Sequence, residues 1–158
     1  MKRKLFGKVS LLLAALLLMF GISFCEDITK AQVLDIVDDA VTLIEQTGDA
    51  ALSVIGTTNG KFHKGELYVF CYDTDVVITA HPEKPFLVGK SYKGKPDVKG
   101  KNFRDEIVQK ALDGSGWVTY YYQKPGETGI FLKTAYGRLA TKNGKKYIVV
   151  SGMYADKQ

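Results

Sequence analysis

The chain has 158 residues, 46% hydrophobic and 25% charged, which suits one compact domain and leaves little room for a second. Its formal charge of +5 invites a nucleic-acid partner, yet Lys2, Arg3, Lys4 and Lys8 sit at the very start, and from residue 26 onward 18 basic residues face 17 acidic ones. A body this close to neutral removes the electrostatic case for nucleic-acid binding.

The basic start leads into the apolar run Val9–Phe24, with Ser23 and Cys25 at positions −3 and −1 of a cut before Glu26. Residues 1–25 are therefore expected to be a signal peptide, or a signal anchor if left uncut, that delivers 26–158 to the periplasm or the exterior. Phe24 stands where a lipoprotein cleavage box wants a small residue, which argues against lipidation. With Cys25 on the signal side only Cys71 remains, so no intrachain disulfide is expected. Its apolar neighbours predict a small buried hydrophobe.

From Asp27 to about Thr47 the apolar residues recur at helical spacing, which predicts a long amphipathic helix. Gly48 interrupts it, Asp49 is placed to cap a second short helix through Ile55, and Gly56–Gly60 ends that one. Leu67–Asp73 then alternates Tyr68, Phe70 and Tyr72 with Leu67, Val69 and Cys71, so both faces of this strand need cover. Asp73-Thr74-Asp75 forms a turn and Val76–Ala80 returns as the second strand. Glu83–Gly100 is rich in Gly and Pro and reads as a long loop, with Phe86, Leu87 and Val88 tucked inward. Asn102–Asp113 predicts a short helix stopped by Gly114. Three strands follow, Gly116–Gln123, Ile130–Ala140 and Lys146–Tyr154, the last two joined at a hairpin-type Asn143-Gly144. The order predicts an α+β fold: a PAS-like five-stranded antiparallel sheet with a long N-terminal helix and a short helix between strands two and three.

Several segments, taken in order, resemble the Cache superfamily, the extracytoplasmic PAS-like sensor domains of bacterial chemoreceptors and sensor kinases, in its single-Cache form. They are Gly48-Asp49, Gly65-Glu66-Leu67-Tyr68-Val69-Phe70 leading to Asp73, Ala80-His81-Pro82, and Leu87-Val88-Gly89-Lys90. Further on come Gly114-Ser115-Gly116-Trp117-Val118 with Tyr120, Lys133 with Tyr136, and Ser151-Gly152-Met153-Tyr154. The resemblance covers nearly all of the chain after the signal segment. Val76 departs from it, standing where the hairpin often carries Gly, and the segment after Lys90 is unusually rich in Lys and Gly. No second apolar span follows Asp156, so the sensor is expected to stand without a following signalling module.

The resemblance implies small-ligand recognition without catalysis. His81, at a strand end before Pro82, and Lys133, interrupting an apolar run, are the candidate donors to a small organic acid. Left unliganded, His81 would only tie down the loop and Lys133 would only be a solvated edge. Tyr68, Phe70, Tyr120, Tyr136 and Trp117 complete the candidate ligand-binding set, with the Tyr120 face preferred for the pocket and Trp117 expected against a helix. His63 has no role in this reading. No catalytic residue, metal site or cofactor is expected, because nucleophile elbow, zinc and phosphate-loop motifs are all missing. Asp73, Asp75 and Asp97 read as turn residues. The competing reading is a ligand-free interaction or dimerisation module that docks to an envelope partner, or to itself, through the N-terminal helix.

Overall fold

The computed structural model describes residues 27–155, so the expected signal segment and its cut lie outside the described residues. Helix α1 spans Lys30–Thr47, starting later than expected because Thr29 caps it: its hydroxyl accepts from the Gln32 amide while Gln32 Oε1 accepts from the Thr29 amide at 2.7 Å. Gly48, at φ 61°, turns the chain out of the helix where a side chain would be strained. Helix α2 is Ala50–Ile55. Asp49 does not cap it through its side chain, correcting the sequence expectation. Its carboxylate instead accepts from Lys145 Nζ at 2.6 Å and Tyr147 OH at 2.9 Å, which holds it below its usual pKa.

The strands are β1 (His63–Lys64), β2 (Leu67–Tyr72), β3 (Ile78–Ala80), β4 (Ser115–Tyr122), β5 (Phe131–Lys142) and β6 (Lys145–Tyr154), with α3 (Phe103–Leu112) between β3 and β4. All pairs are antiparallel in the order β1-β2-β6-β5-β4, and β3 pairs the far end of β2. The five expected strands are present. Two-residue β1 is too short to leave a period in the sequence.

Burial on both faces of β2 organises the molecule. Val69 and Cys71 pack with Val37, Val41 and Ile44 of α1, whereas Tyr68, Phe70 and Tyr72 pack on the other side with Ile107 and Val108 of α3. Cys71 is wholly buried, and burial pushes its thiol up to about 12, so it is inert packing. Apart from Ala31, the exposed residues of α1, including Asp35, Asp38, Asp39, Thr42 and Glu45, are polar. Its apolar stripe is already committed to the sheet. Among the described residues no helix is long and apolar enough to cross a membrane.

Between β2 and β3, Asp73 Oδ1 accepts from the amides of Asp75 at 2.8 Å and Val77 at 2.9 Å, the turn role expected of it. Val76 keeps a left-handed backbone, φ 62°, at the position where the family resemblance expects Gly, which shortens β3 to three residues. The strain for a β-branched residue there is of order 1–3 kcal/mol, offset by burying its side chain beside Leu87.

The segment 83–100 is fixed rather than loose. It forms a 3-10 turn at Pro85–Leu87 and then runs beside β3: Gly89 N donates to Ile78 O at 2.8 Å and Tyr92 N to Val76 O at 3.0 Å. Leu87 faces inward as expected, but Phe86 and Val88 point out, 67% and 46% exposed. A single turn can present only one side to the core. Asp97 closes the segment, accepting from the amides of Lys99, Lys101 and Tyr121, and is therefore a turn residue that also docks onto β4.

Candidate ligand site

The cross-strand register of the sheet brings Tyr120, Lys133 and Tyr154 side by side, on β4, β5 and β6. All three face the α3 side, where β2 supplies Tyr68, Phe70 and Tyr72. Here Lys133 is 1% exposed. Its ammonium donates to Tyr68 OH at 2.8 Å and Tyr154 OH at 3.2 Å, and lies 4.2 Å from the Tyr68 ring centroid and 4.6 Å from that of Tyr154. Tyr154 OH passes its own proton to the carbonyl of Gln123 at 2.8 Å. Among the described residues no carboxylate comes within ion-pair distance of Lys133. Burial, reinforced by the charge of Lys84 and only partly opposed by Glu83 and Glu66, lowers its pKa to about 7.

His81 follows β3 and closes the same space. Its ring stacks on Phe70 and tilts against Tyr68, both with centroids 5.4 Å away. Nδ1 accepts from the Lys84 amide at 3.1 Å, so the neutral ring carries its proton on Nε2. Burial first, then the Lys133 charge, lowers its pKa to about 3. Between pH 6.5 and 3 the unfolded chain therefore binds a proton at His81 that the folded chain refuses, and stability falls as pH drops through that window. We expect His81→Asn to flatten this part of a urea-denaturation pH profile. An unchanged acid limb places the proton uptake elsewhere.

Tyr68, Phe70, Tyr72, Ile78, His81, Phe103, Tyr120, Tyr122 and Lys133 enclose a cavity of about 10 Å³, room for one water molecule. Across Tyr68 lies an open cleft of about 430 Å³ bounded by Glu83, Lys84 and the β4–β5 turn Gln123–Gly129. Lys84 bridges the rim, its ammonium 2.7 Å from Gln123 Oε1 and 4.6 Å from the Tyr122 centroid. Behind the wall, Arg104 is buried against Phe103, Tyr92 and Tyr122 and donates to the Lys95 carbonyl.

Of the residues expected to bind ligand, the fold gathers His81, Lys133, Tyr120, Tyr68 and Phe70 around one cavity. Trp117 and Tyr136 are not among them. They pair with each other at 5.1 Å on the opposite face, under the Lys30 ammonium, because each lies an odd number of residues from Tyr120 and Lys133 along its strand. Tyr72, Ile78, Phe103 and Tyr122, which line the cavity, and Tyr154, which touches Lys133, are not in the expected set. Tyr122 shares the parity of Tyr120 and was legible on that ground, whereas Tyr154 depends on the β5–β6 register. His63, given no role, is buried edge-on against the Tyr68 ring: its Nδ1 accepts from the Asn59 amide and its Nε2 contacts the Glu83 carboxylate.

An antiparallel sheet with a long helix behind it and an aromatic, lysine-bottomed cavity under a cross-braced segment defines an α+β domain of PAS-like architecture. The family of Cache domains matches residues 30–157, and the chain belongs to that family. A solved periplasmic sensor domain of a chemotaxis protein shares 27% identity and a TM-score of 0.67, covering 80% of this chain and 94% of the other. A Cache chemosensory domain described in terms of carboxylic acid recognition gives 24% and 0.64, over 80% and 92%. A methyl-accepting chemotaxis protein from Vibrio parahaemolyticus RIMD 2210633 gives 20% and 0.66, over 80% and 88%. The methyl-accepting chemotaxis protein CtpM of Pseudomonas aeruginosa strain PAO1 is 34% identical over 65 residues, 41% of this chain and 12% of that receptor. The chain thus matches only a small part of that curated relative's length.

Proposed function

We propose that this Cache domain is an exported, non-catalytic sensor whose inner cavity binds the carboxylate of a small organic acid. The reading rests on Lys133, a buried ammonium that meets only rings and hydroxyls. An unpaired buried charge is costly, and an anion within reach of Lys133, the Tyr68 hydroxyl and His81 Nε2 would both neutralise it and accept three donors. The surrounding aromatic walls favour a short apolar remainder on the acid. Because the cavity holds about one water, binding requires it to widen toward the 430 Å³ cleft, with Tyr68 as the shared wall. The neighbour described as recognising carboxylic acids supports the fold, and the anion preference comes from the buried ammonium of Lys133.

The competing interaction-module reading asks for a closed cavity together with an apolar stripe exposed on α1. The cavity is nearly closed, but the outward face of α1 is polar, so sensing is preferred.

Thermal unfolding against paired panels of C2–C5 carboxylic acids and their uncharged amides tests this. An acid at about 100 times its Kd stabilises the folded state by about 2.7 kcal/mol, and its amide does not. Melting temperatures indifferent to every acid, or raised equally by the amides, would refute the proposal.

A further inference from the structure

The charge of residues 26–158 is sharply divided along the sequence. Residues 84–101 contain six lysines and one aspartate, +5, whereas the rest of 26–158 holds 12 basic and 16 acidic residues, −4. Lys90, Lys95 and Lys99 lie beyond ion-pair distance of any carboxylate among the described residues; each ammonium instead sits over a ring, of Phe86, Tyr92 and Tyr121 at 5.7, 4.8 and 5.7 Å. Phe86 and Val88, between Lys84 and Lys90, and Val98, between Lys95 and Lys99, are 67%, 46% and 66% exposed. The two ends of the segment converge. Lys84 reaches Gln123 and Tyr122, and those two residues line the same shallow groove as Val98 and the exposed Ile130.

We propose that this segment is a docking surface for a bilayer containing anionic phospholipid. Lysines interspersed with exposed apolar side chains complement an interface in which phosphates overlie acyl chains, with each lysine adding attraction and each apolar tip entering the headgroup boundary. A nucleic acid or an acidic protein would be served by the lysines alone and leaves three large apolar side chains unexplained. The surface is held in shape by the Asp97 turn, by the Asp105 carboxylate on the Gly94 amide at 2.9 Å and by pairing with β3, so docking orders little that is not already ordered. Lys84, at the start of the segment, also lines the outer cleft of the candidate site, and Leu87 packs into the core that surrounds the cavity, placing membrane contact and access to the cavity on one segment.

The test is co-sedimentation of residues 26–158 with phosphatidylcholine vesicles with and without 40 mol% phosphatidylglycerol, in 0.1 M and 0.5 M NaCl. This portion carries every named element and both cores and excludes the apolar run Val9–Phe24, which would bind lipid by itself. Binding is expected to the anionic vesicles only and to fall steeply at 0.5 M. The K90E/K95E/K99E variant should lose at least about 100-fold in partitioning, and F86S/V98S should lose binding at either salt, with melting temperatures as controls of folding. Equal binding to neutral vesicles, no binding to anionic ones at 0.1 M, or an unaffected triple variant would overturn the proposal. So would duplex DNA binding as tightly as the vesicles while F86S/V98S leaves vesicle binding unchanged, since the surface would then read charge alone.

Discussion

Replacing Lys133 by Met is expected to make the ligand-free protein more stable while abolishing its response to organic acids. In the folded chain the ammonium is buried and compensated only by two hydroxyls and ring faces, so folding depresses its pKa from the free-lysine range near 10.4 to about 7. A side chain of similar length without charge removes that penalty, and Tyr68 OH and Tyr154 OH, 3.4 Å apart, can still bond each other. Gains from replacing buried charges by hydrophobic residues run about 1–4 kcal/mol. The sign follows from linkage. Between pH 7 and 10 the unfolded chain binds a proton that folded Lys133 does not, so wild-type stability climbs with pH, and the advantage of Met is largest below 7 and shrinks toward pH 10. Urea denaturation at pH 6 and pH 9 reads both effects. A variant less stable than wild type at pH 6 would mean that Lys133 is a structural residue.

Binding itself should take up a proton above neutral pH. A carboxylate beside Lys133 favours its charged form, so the pKa in the complex lies above the value of about 7 in the ligand-free protein. Below pH 7 the lysine is charged in both states and affinity is flat, down to the range near 4–5 where a typical acid is itself protonated. Above pH 7 affinity drops by up to about tenfold per unit. The other groups facing this ammonium do not reproduce the pattern. His81, held near 3, stays neutral throughout; burial pushes the hydroxyls of Tyr68 and Tyr154 upward, and Glu83 and Glu66 act on Lys133 only at a distance. Calorimetric titrations in two buffers of different ionisation enthalpy should give close to one proton taken up at pH 8 and none at pH 6. Equal affinity at pH 6.5 and 8.5 would place the anion away from Lys133.

The elements of the fold were legible because their signals are local. Helical spacing marked α1 and α3, and the two-faced apolar run 67–73 announced a strand covered on both sides. The site was legible in part through strand parity, which sets Tyr68 with Phe70 and Tyr120 with Tyr122. That same parity already excluded Tyr136 from the face of Lys133 and Trp117 from that of Tyr120, although the family resemblance groups them. What stayed hidden depends on long-range register: Tyr154 meets Lys133 only because β5 and β6 pair at that offset. The pinning of segment 83–100 was hidden for the same reason, since its bonds to Val76 and Ile78 leave no mark on a Gly- and Lys-rich stretch. Asp49 misled because a capping residue and a partner for Lys145 look alike in sequence.

The most direct test of the central claim is a crystal structure with the organic acid that gives the largest thermal shift. We expect a carboxylate oxygen about 2.7–2.9 Å from Lys133 Nζ, inside the ring of Tyr68, His81 and Tyr120, with the cavity widened toward the cleft. An acid found only in the outer cleft, against Lys84 and Lys124 with the Lys133–Tyr68–Tyr154 contacts unbroken, would contradict the account.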